Sequence, residues 1–188
     1  CSVTRGLQNI ANTSGPFANV GDETFVSGKA DGTVVSLGDG GYAIISFDNP
    51  LANHDGYDFA VFENGFYDVV NSGYFLELAF VEISSNGVDF FRFPNESLTP
   101  KEIQTSTFET TDPTQINGLA GNFKAGYGTP FDLQIMDTVL GIDINNITHL
   151  KIIDVVGTID SSYASYDSYG RIKIVKNSFN TIPIGWSI

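Results

Sequence analysis

The stretch Phe75-Leu76-Glu77-Leu78-Ala79-Phe80-Val81-Glu82-Ile83-Ser84-Ser85-Asn86-Gly87-Val88-Asp89-Phe90-Phe91-Arg92-Phe93-Pro94 decides how this chain folds. Side chains of a strand alternate between two faces. One parity carries Phe75, Glu77, Ala79, Val81 and Ile83, and the other Leu76, Leu78, Phe80, Glu82 and Ser84. Both parities are apolar in the middle, which predicts a strand covered on both sides. Buried carboxylates need partners, so Glu77 and Glu82 are expected to meet Arg, backbone donors or a cation. Asn86-Gly87 offers the positive φ angles of a type I′ turn, and residues 89–93 then form the returning arm until Pro94 ends it.

The same grammar extends outward. Residues 33–37 and 42–47 flank Gly38-Asp39-Gly40-Gly41, which predicts a hairpin with a four-residue loop. Residues 58–63 read as a further strand between Asn53-His54-Asp55-Gly56 and Asn64-Gly65. Residues 149–156 form a strong strand and 170–175 a weaker one, while 131–140 is expected as a short helix opened by Thr129-Pro130. No repeat or long amphipathic helix interrupts this pattern. Seven or more short strands punctuated by turn residues imply an all-β protein, a β-sandwich of jelly-roll type. The least regular part, 98–128, contains Gly118, Gly121, Gly126 and Gly128. A connection of that length inside a compact domain is expected to be a binding loop.

Composition agrees. The 188 residues include fifteen Phe, eight Tyr and twenty Gly, which favour strands and tight turns over helices. That length supports one core, expected over 17–188 after a polar tether at 1–16. A formal charge of −13 disfavours nucleic acid and anionic membrane surfaces, and favours cations and neutral ligands. The single cysteine is Cys1, so internal disulfides and thiolate zinc sites are excluded. Cys1-Ser2 without a Met resembles the start of a mature bacterial lipoprotein, with lipid carried on Cys1. No stretch approaches the roughly 20 apolar residues of a membrane helix.

Catalysis finds little support. The histidines, His54 and His149, lie in no nucleophile-elbow context, and no glycine loop opens a helix around phosphate. The expectation is a protein without enzymatic activity. A hard cation such as calcium is a candidate for Asp55, Asp58 and Glu63, because calcium takes loop carboxylates and carbonyls between strands. Aromatic residues in loops form the other resource. Phe66, Tyr67 and Tyr74 flank one loop, Phe123 and Tyr127 sit in the glycine-rich excursion beside Asn117, and Tyr163, Tyr166 and Tyr169 recur in a third. Flat rings suit a sugar face or a planar macrocycle, since they bury area without demanding charge.

A resemblance adds to this reading. The runs Leu37-Gly38-Asp39-Gly40-Gly41-Tyr42 and Asn53-His54-Asp55-Gly56-Tyr57-Asp58-Phe59-Ala60-Val61-Phe62-Glu63-Asn64-Gly65-Phe66 look like a family of bacterial cell-surface proteins. The likeness continues through 77–88, Asp112-Pro113-Thr114, 116–121, 126–133 and 153–157. Its members resemble β-sandwich lipoproteins of Bacteroidetes, some of which bind corrinoids (vitamin B12) before transfer to an outer-membrane transporter. The chain departs from them at Ile182-Pro183-Ile184-Gly185-Trp186-Ser187-Ile188, where relatives carry two carboxylates. The resemblance implies a lipid-anchored protein of the outer membrane, facing the exterior, that captures a corrinoid without a covalent step. A calcium-stabilised carbohydrate-binding module and an adhesion protein are the alternatives.

Overall fold

The structure, a computed structural model, describes residues 1–29, 31–99, 104 and 109–172. Its strands are β1 (Ser2–Thr4), β2 (Tyr42–Leu51), β3 (Phe59–Val61), β4 (Phe66–Asp68), β5 (Gly73–Phe75), β6 (Ala79–Ser84), β7 (Phe91–Arg92), β8 (Glu96–Ser97), β9 (Ile116–Asn117), β10 (Thr129–Phe131) and β11 (Ile147–Asp154). A five-stranded sheet runs β1-β2-β11-β6-β7, and three two-stranded pairs, β10-β3, β4-β5 and β8-β9, complete the set. Every pairing is antiparallel. The helical content of the described residues is three 3-10 turns, so the protein is all-β, as its strand-forming composition predicts.

All six residues of β6 are buried, as their two apolar parities require. Ala79, Val81 and Ile83 join Leu150 and Ile152 of β11 and Ala43 and Ile45 of β2 in the larger core cluster. Phe80 points the other way and joins Leu76, Leu78, Ile116, Leu119 and Val155 in a second cluster. In the larger core, Phe59 stacks on Phe131 at 5.3 Å, and Phe93 meets the edges of both rings at 6.0 and 5.0 Å. Glu82 finds the partners its burial demands. Arg92 donates to it from Nε at 2.9 Å and Nη2 at 2.7 Å, and Lys151 approaches to 3.6 Å.

Four local expectations are corrected. Residues 33–37 form no strand against β2. Instead the Ser36 N–H donates to Val20 O and the Gly6 N–H to Leu37 O, so the segment packs on the N-terminal chain and leaves β2 to β1 and β11. The hairpin after β6 forms, but not through a type I′ turn: Asn86 has no positive φ, and its Oδ1 accepts the N–H groups of Val88 and Asp89 at 2.9 Å. The side chain mimics a backbone turn, and six residues separate the paired arms. The expected helix at 131–140 shrinks to a 3-10 turn, Leu133–Met136, because Thr129–Phe131 pairs with β3 and Asp132 caps the turn behind it. Residues 1–16, expected as a tether, contribute β1 to the main sheet. The weaker strand expected at 170–175 lies mostly outside the described residues.

Candidate ligand-binding cleft

The glycine-rich excursion is tied to strands β5 and β6 at two points of its described part. Thr111 N–H donates to Tyr74 O at 2.7 Å, and Ala79 and Ala120 exchange two backbone hydrogen bonds at 3.0 and 3.1 Å. Between these anchors Asp112 caps the turn Pro113–Gln115, accepting the Thr114 N–H at 2.9 Å and its hydroxyl at 2.7 Å. Those donors hold the exposed Asp112 carboxyl below its usual range, the Thr114 hydroxyl contributing most. Further along, Gly121 and Gly126 take positive φ angles of 85° and 86°, conformations that L side chains resist. They fold residues 121–128 back, and Ala125 N–H reaches Gly65 O at 2.6 Å.

These connections leave a cavity of about 500 Å³ lined by Tyr74, Pro113, Thr114, Asn122, Phe123, Lys124 and Tyr127. Tyr74 comes from β5, and its ring is braced edge-on by Tyr67 of β4 at 5.2 Å. Phe123 and Tyr127 remain 45% and 60% exposed. Asn122 is held by two hydrogen bonds: its Nδ2 donates to Ile116 O at 3.1 Å and its N–H to Thr129 Oγ1 at 3.2 Å. Its Oδ1 is buried without a hydrogen-bond partner. The Lys124 ammonium lies 5.5 Å from the centre of the Tyr127 ring, a cation–π contact.

Of the six residues expected to bind ligand, the fold brings Tyr74, Phe123 and Tyr127 to this one cleft. Tyr67 supports Tyr74 from behind, and Phe66 stacks on Phe75 at 4.8 Å. Asn117 pairs with Glu96 across β8-β9 and does not line the cavity. Lys124, Asn122, Thr114 and Pro113 were not anticipated. Lys124 had a signal in the sequence, being the one Lys or Arg between Lys101 and Lys151.

The calcium candidates are not gathered. Asp55 is exposed in its loop, whereas the Asp58 carboxylate accepts the His54 N–H at 2.8 Å and the Leu133 N–H at 2.7 Å. Glu63 is buried beyond the far end of β3, where it accepts the Gly65 N–H at 2.6 Å. Among the described residues no group of three His, Cys, Asp or Glu is arranged to hold a metal ion. The Asp58 and Glu63 carboxylates thus accept backbone N–H groups at separate points. Cys1 is exposed, with its thiol 3.3 Å from Glu23 O. His54 is exposed, and His149 lies on β11 with Nδ1 2.9 Å from Thr148 Oγ1, so neither lines the cleft. No helix among the described residues is long and apolar enough to cross a membrane.

Compared with known proteins, this chain matches no family model, and no curated protein or solved structure matches it significantly.

Proposed function

We propose that this protein captures a saccharide non-covalently in the cleft between β5 and the glycine-rich excursion. The observation that carries the reading is the convergence of three rings, Tyr74, Phe123 and Tyr127, around a cavity of about 500 Å³. Volumes of this order enclose small ligands, and aromatic faces bury the apolar side of a sugar ring while its hydroxyls remain free to hydrogen-bond. A corrinoid, the ligand that the resemblance implies, is much larger and would meet the cleft with one edge only. Capture needs no bond made or broken, and the cleft holds neither histidine. The scaffold fits a β-sandwich: two apolar clusters lie on opposite faces of one sheet, and side chains of β6 serve both. Lipid on the exposed thiol of Cys1, with display at the outer-membrane surface, belongs to the same proposal.

Titration calorimetry against a panel of mono- and disaccharides tests it, with cobalamin as the comparison arm. Binding of a saccharide by the wild type, weakened tenfold or more in Phe123→Ala and Tyr127→Ala, is the expected result. Both rings are exposed, so the variants keep the wild-type melting temperature. A shifted cobalamin spectrum with silent saccharide titrations would replace the saccharide by a corrinoid. Silence in both arms would overturn the proposal.

A further inference from the structure

The cations of this chain are scarce, nine Lys and Arg against twenty-two Asp and Glu. Most of those described are spent on internal partners. Arg92 and Lys151 neutralise Glu82, and Arg171 pairs with Glu96 at 2.6 Å and Asp167 at 2.9 Å. Arg5 donates to the carbonyls of Val20, Ser36 and Gly21. Lys124 is different. It lines the cleft, it lies over the Tyr127 face, and no carboxylate of the described residues pairs with it.

Two other polar groups of the cleft are engaged within the protein. The Thr114 hydroxyl donates to Asp112, and the Asn122 amide to Ile116 O. The nearest carboxylate in sequence, Asp112, is turned onto its own 3-10 turn and does not line the cavity. Among the described residues that line the cleft, Lys124 is the one that carries a full charge, and that charge is positive.

We infer that the saccharide taken by the cleft carries a carboxylate, as uronic and sialic acids do, and that Lys124 selects it. This rests on the reading of the cleft as a saccharide site. The acidity of the whole chain does not forbid it, because charges more than about 8 Å away are largely screened at physiological salt. The contact at Lys124 is local, and the ring beneath the ammonium removes part of its water.

A glycan array printed with carboxylated saccharides, their methyl esters and the neutral parent sugars tests the inference. Wild type should favour the carboxylated members over their esters by about two- to fivefold, the range that a partly exposed ion pair supplies. The preference should shrink as salt is raised from low to well above physiological strength. Lys124→Met should equalise the acid and ester signals whatever it does to the neutral sugars, and an unaltered melting temperature verifies the fold. Equal signals for acids and esters with wild type, or a preference for acids that survives in Lys124→Met, would overturn the selection by charge and leave saccharide capture standing. An array that stays dark with wild type would remove saccharide capture itself.

Discussion

The Asp154 carboxylate, at the end of β11, accepts the backbone N–H of Gly40 at 3.2 Å. Glu77 and Asp39 share this end of the sheet, and both are buried. Burial first, then the like charges of Glu77 and Asp39, push the Asp154 carboxyl well above its ordinary value of 3.8, against the pull of Gly40. The folded protein thus holds this proton more tightly than the unfolded chain. Its stabilising contribution is complete below 3.8 and is lost as pH rises through the raised folded value. Asp154→Asn keeps an acceptor for Gly40 and removes the charge. The variant should melt a few degrees above wild type at neutral pH and converge with it at a pH below 3.8. Calorimetric melting across that range measures the difference, and parallel pH profiles would contradict the assignment.

Asp167 has the opposite sign. Burial alone would raise its carboxyl, but it accepts the N–H groups of Arg171, Ser97 and Tyr169 and pairs with the Arg171 side chain, and these together hold it below the ordinary value. That stability is present above 3.8 and is lost as pH falls through the depressed value. Asp167→Ala leaves several donors unmet and should cost about 2–4 kcal/mol at neutral pH in urea unfolding. The penalty should narrow in acid.

Breaking one side of the Glu82 cluster should cost more than removing it. Arg92→Met strips the closest cation from a carboxylate that is 8% exposed, and also lifts the guanidinium that lies 3.9 Å above the Phe80 ring. A loss of about 1–3 kcal/mol is expected, lessened by Lys151 and by the partial exposure of Arg92. Adding Glu82→Gln should restore at least part of it. A double-mutant cycle in urea measures the coupling, and strict additivity would argue that the pair contributes nothing.

Two glycines of the excursion separate space from backbone strain. Gly118 has φ 67°, and a Cβ there would lie 2.1 Å from Pro94 O. Gly126 has φ 86° with open space around it. Gly126→Ala should cost about 1 kcal/mol in urea unfolding, the left-handed penalty alone. Gly118→Ala should cost at least twice that, because backbone must move. Equal losses would mean that the Pro94 carbonyl yields easily.

How much of the molecule is legible in its sequence depends on how local each cause is. The alternation in residues 75–84 specifies burial on both faces, and the structure covers both faces of β6. Glu82 announces its need for cations in the same way, and Arg92 sits directly opposite in the antiparallel register. The pairing of β2 is not legible. Beside it, Gly6 and the turn from Gly38 to Gly41 bring two backbone segments together, so close that a Cβ on Gly41 would lie 2.1 Å from Leu37 O. No window of local pattern encodes such an approach. The cleft is half legible. Tyr74, Phe123 and Tyr127 stand out as rings in loops, but the long intervening chain hides the fact that Tyr74 and Tyr127 line one cavity. Lys124 escapes notice because overall acidity directs attention to neutral ligands, whereas selection is made by the charge within a few ångströms.

The pairing of Ser2, Val3 and Thr4 with Ile44, Ala43 and Tyr42 has a mechanical consequence. Cys1 is one residue from a stitched sheet edge, so anything attached there grips the protein without slack. A pull at that point loads three residue pairs at the rim of the main sheet.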